Sequence, residues 1–149
     1  MNRPGSDLEG LAARHLAFGW GLLTISVVLG LGLELLHALK TGFYLDADSE
    51  TRRLLWTLAH AHGALLGLVQ IAYSLSLPKL VRLSAAGRVF ASRALLAGAV
   101  LLPGGFFLGG TVVYEGDPGL AILLAPVGAL ALVAGLTVVA LGARRAPEA

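Results

Sequence analysis

Four apolar runs, Leu16–Leu39, Leu54–Leu77, Ala94–Val113 and Leu120–Leu141, dominate the chain and leave few alternatives for its fold. Each reaches the roughly 20 residues that an α-helix needs to cross the hydrocarbon region of a bilayer. Together they take up most of the 149 residues, so no soluble domain of useful size remains beside them. The composition agrees: 56% of residues are hydrophobic and only 13% are charged, with a mean hydropathy of +0.80. The expected fold is all-α, a single domain over 1–149 built as an integral membrane four-helix bundle with antiparallel neighbours. The first run is 24 residues long, against roughly 7–15 for the core of a signal peptide, and is expected to be a retained helix.

Charge sets the expected topology. With four spans, the N-terminus, the 78–93 segment and the C-terminus lie on one side, and they hold Arg3, Arg14, Lys79, Arg82, Arg88, Arg93, Arg144 and Arg145. The opposite side has Lys40, Arg52 and Arg53 diluted by acids. The positive-inside rule then puts both termini in the cytoplasm, with a bacterial inner membrane as the expected location. The bases flank apolar runs and form no basic face, which argues against nucleic acid as a partner. Cysteine is absent, which removes disulfides, thiolate metal sites and a cysteine nucleophile.

Local signals divide the segments further. Ser6 or Asp7 is expected to cap a short interfacial helix, and Asp48 or Ser49 to cap the second span. Phe43, Tyr44 and Trp56 fall where an aromatic interface belt belongs. Pro103 lies inside the third span and is expected to kink it; Asp117-Pro118-Gly119 reads as a tight turn. Ser26-x-x-x-Gly30, Gly63-x-x-x-Gly67, Gly105-x-x-x-Gly109, Ala121-x-x-x-Ala125 and Ala131-x-x-x-Gly135 are spacings that let helices approach closely in lipid.

The chemistry resides in the second run, which carries His60 and His62, and in the last turns of the first, which carry Glu34 and His37. Ionisable groups inside a span are costly and are expected to face a partner or a polar cavity. At about 1.5 Å per residue, Glu34 and His60 come to similar depths of roughly 9–10 Å below the outer boundary. His37 lies about a turn shallower and His62 about 3 Å deeper, so the four groups are expected to cluster in the outer leaflet. His60 and His62 project about 200° apart on one helix and cannot chelate the same ion together. His60 lies near the face marked by Gly63 and Gly67 and is expected to meet the first span, with His62 turned elsewhere. Imidazole plus carboxylate suits a transition metal, and imidazoles from two helices suit haem. The expected metal ligands are accordingly Glu34, His37, His60 and His62; for haem b, His37, His60 and His62 with Arg52 and Arg53 on the propionates. The structural alternative is a Glu–His pair locking two helices. His15 is expected at the cytoplasmic interface, and Gln70 and Tyr73 are expected to make helix–helix hydrogen bonds.

His60-Ala61-His62 followed by Leu66-Gly67 resembles the His-x-His helix of the haem–copper oxidase catalytic subunit and of small four-span bacterial membrane proteins that carry the same element. That resemblance implies His60 and His62 as haem or metal ligands in redox work. Ala59-His60-x-x-Gly63-x-x-x-Gly67 is also similar to the second span of hydroxylaminobenzene mutase-like membrane proteins, with His62 standing where an acid is expected. It implies an isomerase using the same groups for proton transfer. A non-catalytic structural subunit, in a homo-oligomer or a larger membrane complex, is the third possibility.

Overall fold

A computed structural model describes residues 4–46, 49–80 and 83–144, with side chains described from residue 7 onward. The chain runs α1 (Pro4–Ala38), a one-turn α2 (Gly42–Leu45), α3 (Glu50–Ser76), α4 (Ala85–Thr111), a hairpin of β1 (Val113–Tyr114) and β2 (Asp117–Pro118), and α5 (Leu124–Arg144). Short 3-10 turns at Leu77–Lys79 and Leu120–Leu123 lead out of α3 and into α5. Four helices are long and apolar enough to cross a membrane; they match the four runs read from the sequence, except that the first ends at Ala38 and the third at Thr111, before Leu39 and Val113. Arg3, Asp48, Arg82 and Arg145, used above for capping and topology, lie outside the described residues.

The boundaries have local causes. Pro4 opens α1, where its missing N–H costs nothing, so Ser6 and Asp7 lie inside the long helix and there is no separate interfacial one. At the far end Lys40 takes a left-handed φ of 49°. There Thr41 N–H bonds Leu36 O at 3.1 Å and Lys40 N–H bonds His37 O at 3.1 Å, the two bonds of a Schellman stop. Ser49 does not cap α3 through its side chain; its hydroxyl donates to Phe43 O at 2.8 Å and holds α2 in place instead. Ser84 does cap α4, accepting from Gly87 N–H at 3.1 Å. Pro126 falls in the first turn of α5, where no intrahelical bond is lost. The acidic turn is a two-residue hairpin with positive φ at Glu115 (50°) and Gly116 (88°), the geometry that favours glycine at its second position.

Packing follows chain order: α1 lies on α3, α3 on α4 and α4 on α5, whereas α1 and α5 share no extended contact among the described residues. The best-packed core, Leu66, Tyr73, Leu77, Leu80, Ala91, Leu95, Ala99 and Leu132, sits toward the end of the bundle that holds the 78–84 connection. Large apolar side chains such as Ile25, Val28, Leu31, Leu130 and Val133 cover the outward faces of α1 and α5. Apolar surface on this scale is compatible with a lipid environment.

Missing Cβ atoms set the spacing between helices. A Cβ at Gly67 would come within 2.9 Å of Gly19 O, and one at Gly105 within 2.5 Å of Ala125 N. The backbones of α1 and α3, and of α4 and α5, are therefore in direct contact. Gly104, next to Gly105, has nothing within 4 Å of the same position. Gly105→Ala is expected to cost about 1–3 kcal/mol through overpacking, whereas Gly104→Ala should be neutral or gain up to about 1 kcal/mol of helix propensity. Thermal melts of the two variants in one detergent check this, and equal behaviour would contradict the assigned faces.

Candidate functional site

The line of contact between α1 and α3 runs from Gly19 and Gly67, past Ser26 and Gly63, to Gly30 and His60. A Cβ on Gly30 would lie 2.5 Å from His60 Cε1, so the imidazole rests on bare backbone. From there Nδ1 reaches Ser26 O at 2.7 Å. A carbonyl only accepts, so Nδ1 carries the proton and Nε2 of the neutral ring keeps a free lone pair. Beside the ring opens a cavity of about 480 Å³ whose lining includes Glu34, His37, Tyr44, Thr57 and His60. Val27, Leu31 and Leu33 supply its apolar wall.

Three of the four expected groups are thus brought together, but not His62. Its Nδ1 bonds Leu58 O one turn back, at 2.8 Å, and its ring lies 5.1 Å from that of Phe106 on α4. The 200° offset from His60 has this consequence: one imidazole faces α1 and the other α4. Glu34 and His60 share a cavity without a hydrogen bond between them; the helix lock here is His60 to the Ser26 carbonyl. Among the described residues no three His, Cys, Asp or Glu side chains are placed to hold a metal ion.

The two arginines expected on propionates are engaged elsewhere. Arg52 Nε donates to Gly110 O at 3.1 Å and its Nη1 to Phe43 O at 2.7 Å. Arg53 Nη1 donates to Tyr44 O at 2.9 Å and Asp46 O at 3.1 Å. Both tie the α1–α3 connection to helix ends, as its many unpaired carbonyls require. Tyr44, expected at the interface, is buried and stacks on Trp56 at 6.4 Å, which stacks on Phe107 at 5.7 Å. Phe43 is exposed in its place. Tyr114 is 74% exposed and does not cover the histidines; its hairpin is held by Thr51 Oγ1 donating to Gly116 O at 2.7 Å.

A second polar cluster lies at the opposite end. His15 is fully buried among α1, α3 and α4, three turns into the helix that begins at Pro4. Its Nδ1 faces Gln70 Oε1 and its Nε2 lies 2.8 Å from Ser92 Oγ. Gln70 Nε2 donates to Leu95 O at 2.8 Å, which fixes the amide so that Oε1 accepts from His15. Ser92 then donates to Nε2 and accepts from Arg14 Nη2 at 2.6 Å. Tyr73 places its ring edge-on to His15 at 4.7 Å and donates to Arg88 O at 3.2 Å. Every member has a partner, and α1, α3 and α4 are bolted together. The sequence offered a signal for half of this: Gln70 and Tyr73 stand three apart on one face. Ser92, amid small residues, offered none.

No family model, curated protein or solved structure matches this chain.

Gln70→Leu leaves the His15 N–H buried without an acceptor and is expected to cost about 1–3 kcal/mol. Its effect and that of Ser92→Ala should be non-additive by roughly 0.5–3 kcal/mol, since both act on one imidazole. A double-mutant cycle of melting in detergent measures the coupling; simple additivity would mean that the two bonds are independent.

Proposed function

We propose that the chain is an integral membrane protein of the bacterial inner-membrane type, with both termini cytoplasmic. Its Glu34–His37–His60 cavity binds a small amphiphilic aromatic molecule and exchanges protons with it. The observation that carries this reading is the convergence of one carboxylate and two imidazoles on a single cavity, with the Ser26 carbonyl holding His60 in the tautomer that leaves Nε2 open. Such a nitrogen accepts a proton from a bound N–H or O–H group, while Glu34 and His37 supply further proton-transfer sites within reach of the same ligand. Thr57 and Tyr44 offer hydroxyl groups for orientation, and the leucine wall takes an aromatic ring. The apolar surface around the cavity favours ligands that arrive through lipid. The eight bases on the side of the termini favour the stated orientation.

This reading is preferred to haem or a transition metal. His62 on the far face, the engaged Arg52 and Arg53, and the lack of a three-ligand cluster among the described residues do not fit such a group. The chemistry implied by the mutase resemblance fits the donor set better. In the rearrangement of an arylhydroxylamine to an aminophenol, a proton goes to the departing hydroxyl, water adds to the ring and gives up a proton, and the ring proton at that carbon moves to the nitrogen; in this reading Glu34 and His60 relay these protons.

The test uses full-length protein in mild detergent with phenylhydroxylamine. Saturable binding and conversion to aminophenol are expected, with conversion falling about 10²–10⁴-fold in His60→Ala or Glu34→Gln. Gly30→Ala, which pushes His60 off Ser26 O, should weaken binding, whereas Gly32→Ala, with no atom within 4 Å, should not. Unsaturable partitioning that ignores these substitutions, or a haem absorption band in the purified protein, would overturn the assignment.

A further inference from the structure

A second cavity of about 540 Å³ lies on the other side of Ser26, between α1, α3 and α4. Phe18, Gly21 and Ile25 of α1, Gly63 of α3, and Val100 and Gly104 of α4 are among its lining residues. Ser26 is the lone polar side chain of that wall, and its hydroxyl is engaged by Leu22 O at 2.8 Å. With that donor used and the rest of the wall apolar, the cavity suits a hydrocarbon occupant. Two of its glycines are not explained by helix contact: a Cβ on Gly21 or Gly104 would meet nothing within 4 Å. A glycine inside a helix costs up to about 1 kcal/mol relative to alanine, and here the missing side chains widen a cavity, not an interface.

The inner end of the cavity carries charge. Arg14 stands seven residues before Gly21, and Arg93 seven before Val100 and eleven before Gly104. These spacings put both arginines on the cavity-lining faces of their helices, roughly 10 Å along the axis from Gly21 and Val100. Both are exposed. Arg14 donates one hydrogen bond across to Ser92 Oγ at 2.6 Å at that end. An apolar slot with two cations at its foot matches one membrane component in both charge and apolar character.

We propose that this cavity is a binding site for an anionic phospholipid of the cytoplasmic leaflet, with one acyl chain between α1 and α4 and the phosphate between Arg14 and Arg93. The inference rests on the membrane orientation proposed above, but not on the proton-transfer site, which occupies the other cavity. Each basic side chain near an anionic headgroup contributes a factor of roughly five in affinity, so the pair favours an anionic over a zwitterionic lipid by about 25-fold.

Thermal melting of the delipidated full chain, titrated with phosphatidylglycerol, phosphatidylcholine or dodecane, tests the site. Phosphatidylglycerol is expected to raise the melting temperature at about 25-fold lower concentration than phosphatidylcholine, and Arg93→Gln to narrow that ratio to roughly fivefold. Gly21→Leu combined with Gly104→Leu fills the slot without meeting a protein atom at Cβ, and should abolish the response to all three compounds. His60→Ala should leave it unchanged. Equal potency of the two phospholipids, an undiminished response in the filled variant, or a chain dimer that the filled variant disrupts would overturn the proposal. Should the filled variant fail to fold, the Arg93→Gln ratio decides alone.

Discussion

The structure depends on the close approach of α1 to α3, and that approach depends on absent side chains. Gly19 and Gly67 put backbone against backbone, and Gly30 leaves a shelf on which an imidazole can lie. In lipid no hydrophobic force drives two apolar helices together, so contact distance and interhelical hydrogen bonds determine the association. The same geometry that brings the helices together lets His60 reach a main-chain carbonyl of the neighbouring helix. Packing and tautomer are thus a single fact: fill the shelf and the ring loses both its seat and its proton partner.

The two polar clusters of the bundle are built on opposite terms. Around His15 both ring nitrogens, the Gln70 amide and the Ser92 hydroxyl are hydrogen-bonded, and the well-packed core surrounds them. A satisfied core of this kind rigidifies and fixes helix register, and its imidazole has no free nitrogen for a ligand. Around His60 the contacts stop at one hydrogen bond, and Glu34 and His37 face open cavity with exposed side chains. Ionisable groups left so near hydrocarbon are tolerated where something polar reaches them. The difference in satisfaction, more than any difference in residue type, separates the structural histidine from the candidate functional one.

What was legible in the sequence is what one helix determines by itself. Run length located the helices, and the i, i+3, i+4, i+7 geometry placed His60 on the glycine face and turned His62 away. What was not legible needed a second element. His15 looked terminal because the apolar run starts at Leu16, yet helix propensity and a proline at the first helical position carry α1 back to Pro4. Arg52 and Arg53 looked free for an anion, since nothing in the sequence says that α2 and the end of α4 present carbonyls to them. Tyr44 has the composition of an interface residue, but its place is set by Trp56 and Phe107, distant in the chain. Ser92 is indistinguishable from a spacing residue until Arg14 and His15 are brought against it.

The division of labour between the two ends also bears on how such a chain stays folded with so little buried surface at its edges. α1 and α5 each share extended backbone contact with one long helix, so either could peel away if held by van der Waals contact alone. α5 is secured by glycine contacts along α4, at Gly98, Gly105 and Gly128. α1 is likewise held along α3, at Gly19, Gly30, Gly63 and Gly67; toward its N-terminal end it is secured further by Arg14, His15 and the Ala12 carbonyl, which accepts from Ser74 at 2.8 Å. Interhelical hydrogen bonds in membranes average only about 0.6 kcal/mol each, but a set sharing one imidazole acts cooperatively. With its N-terminal half fastened in this way, α1 can leave its C-terminal half open toward Glu34 and His37, where the cavity needs room.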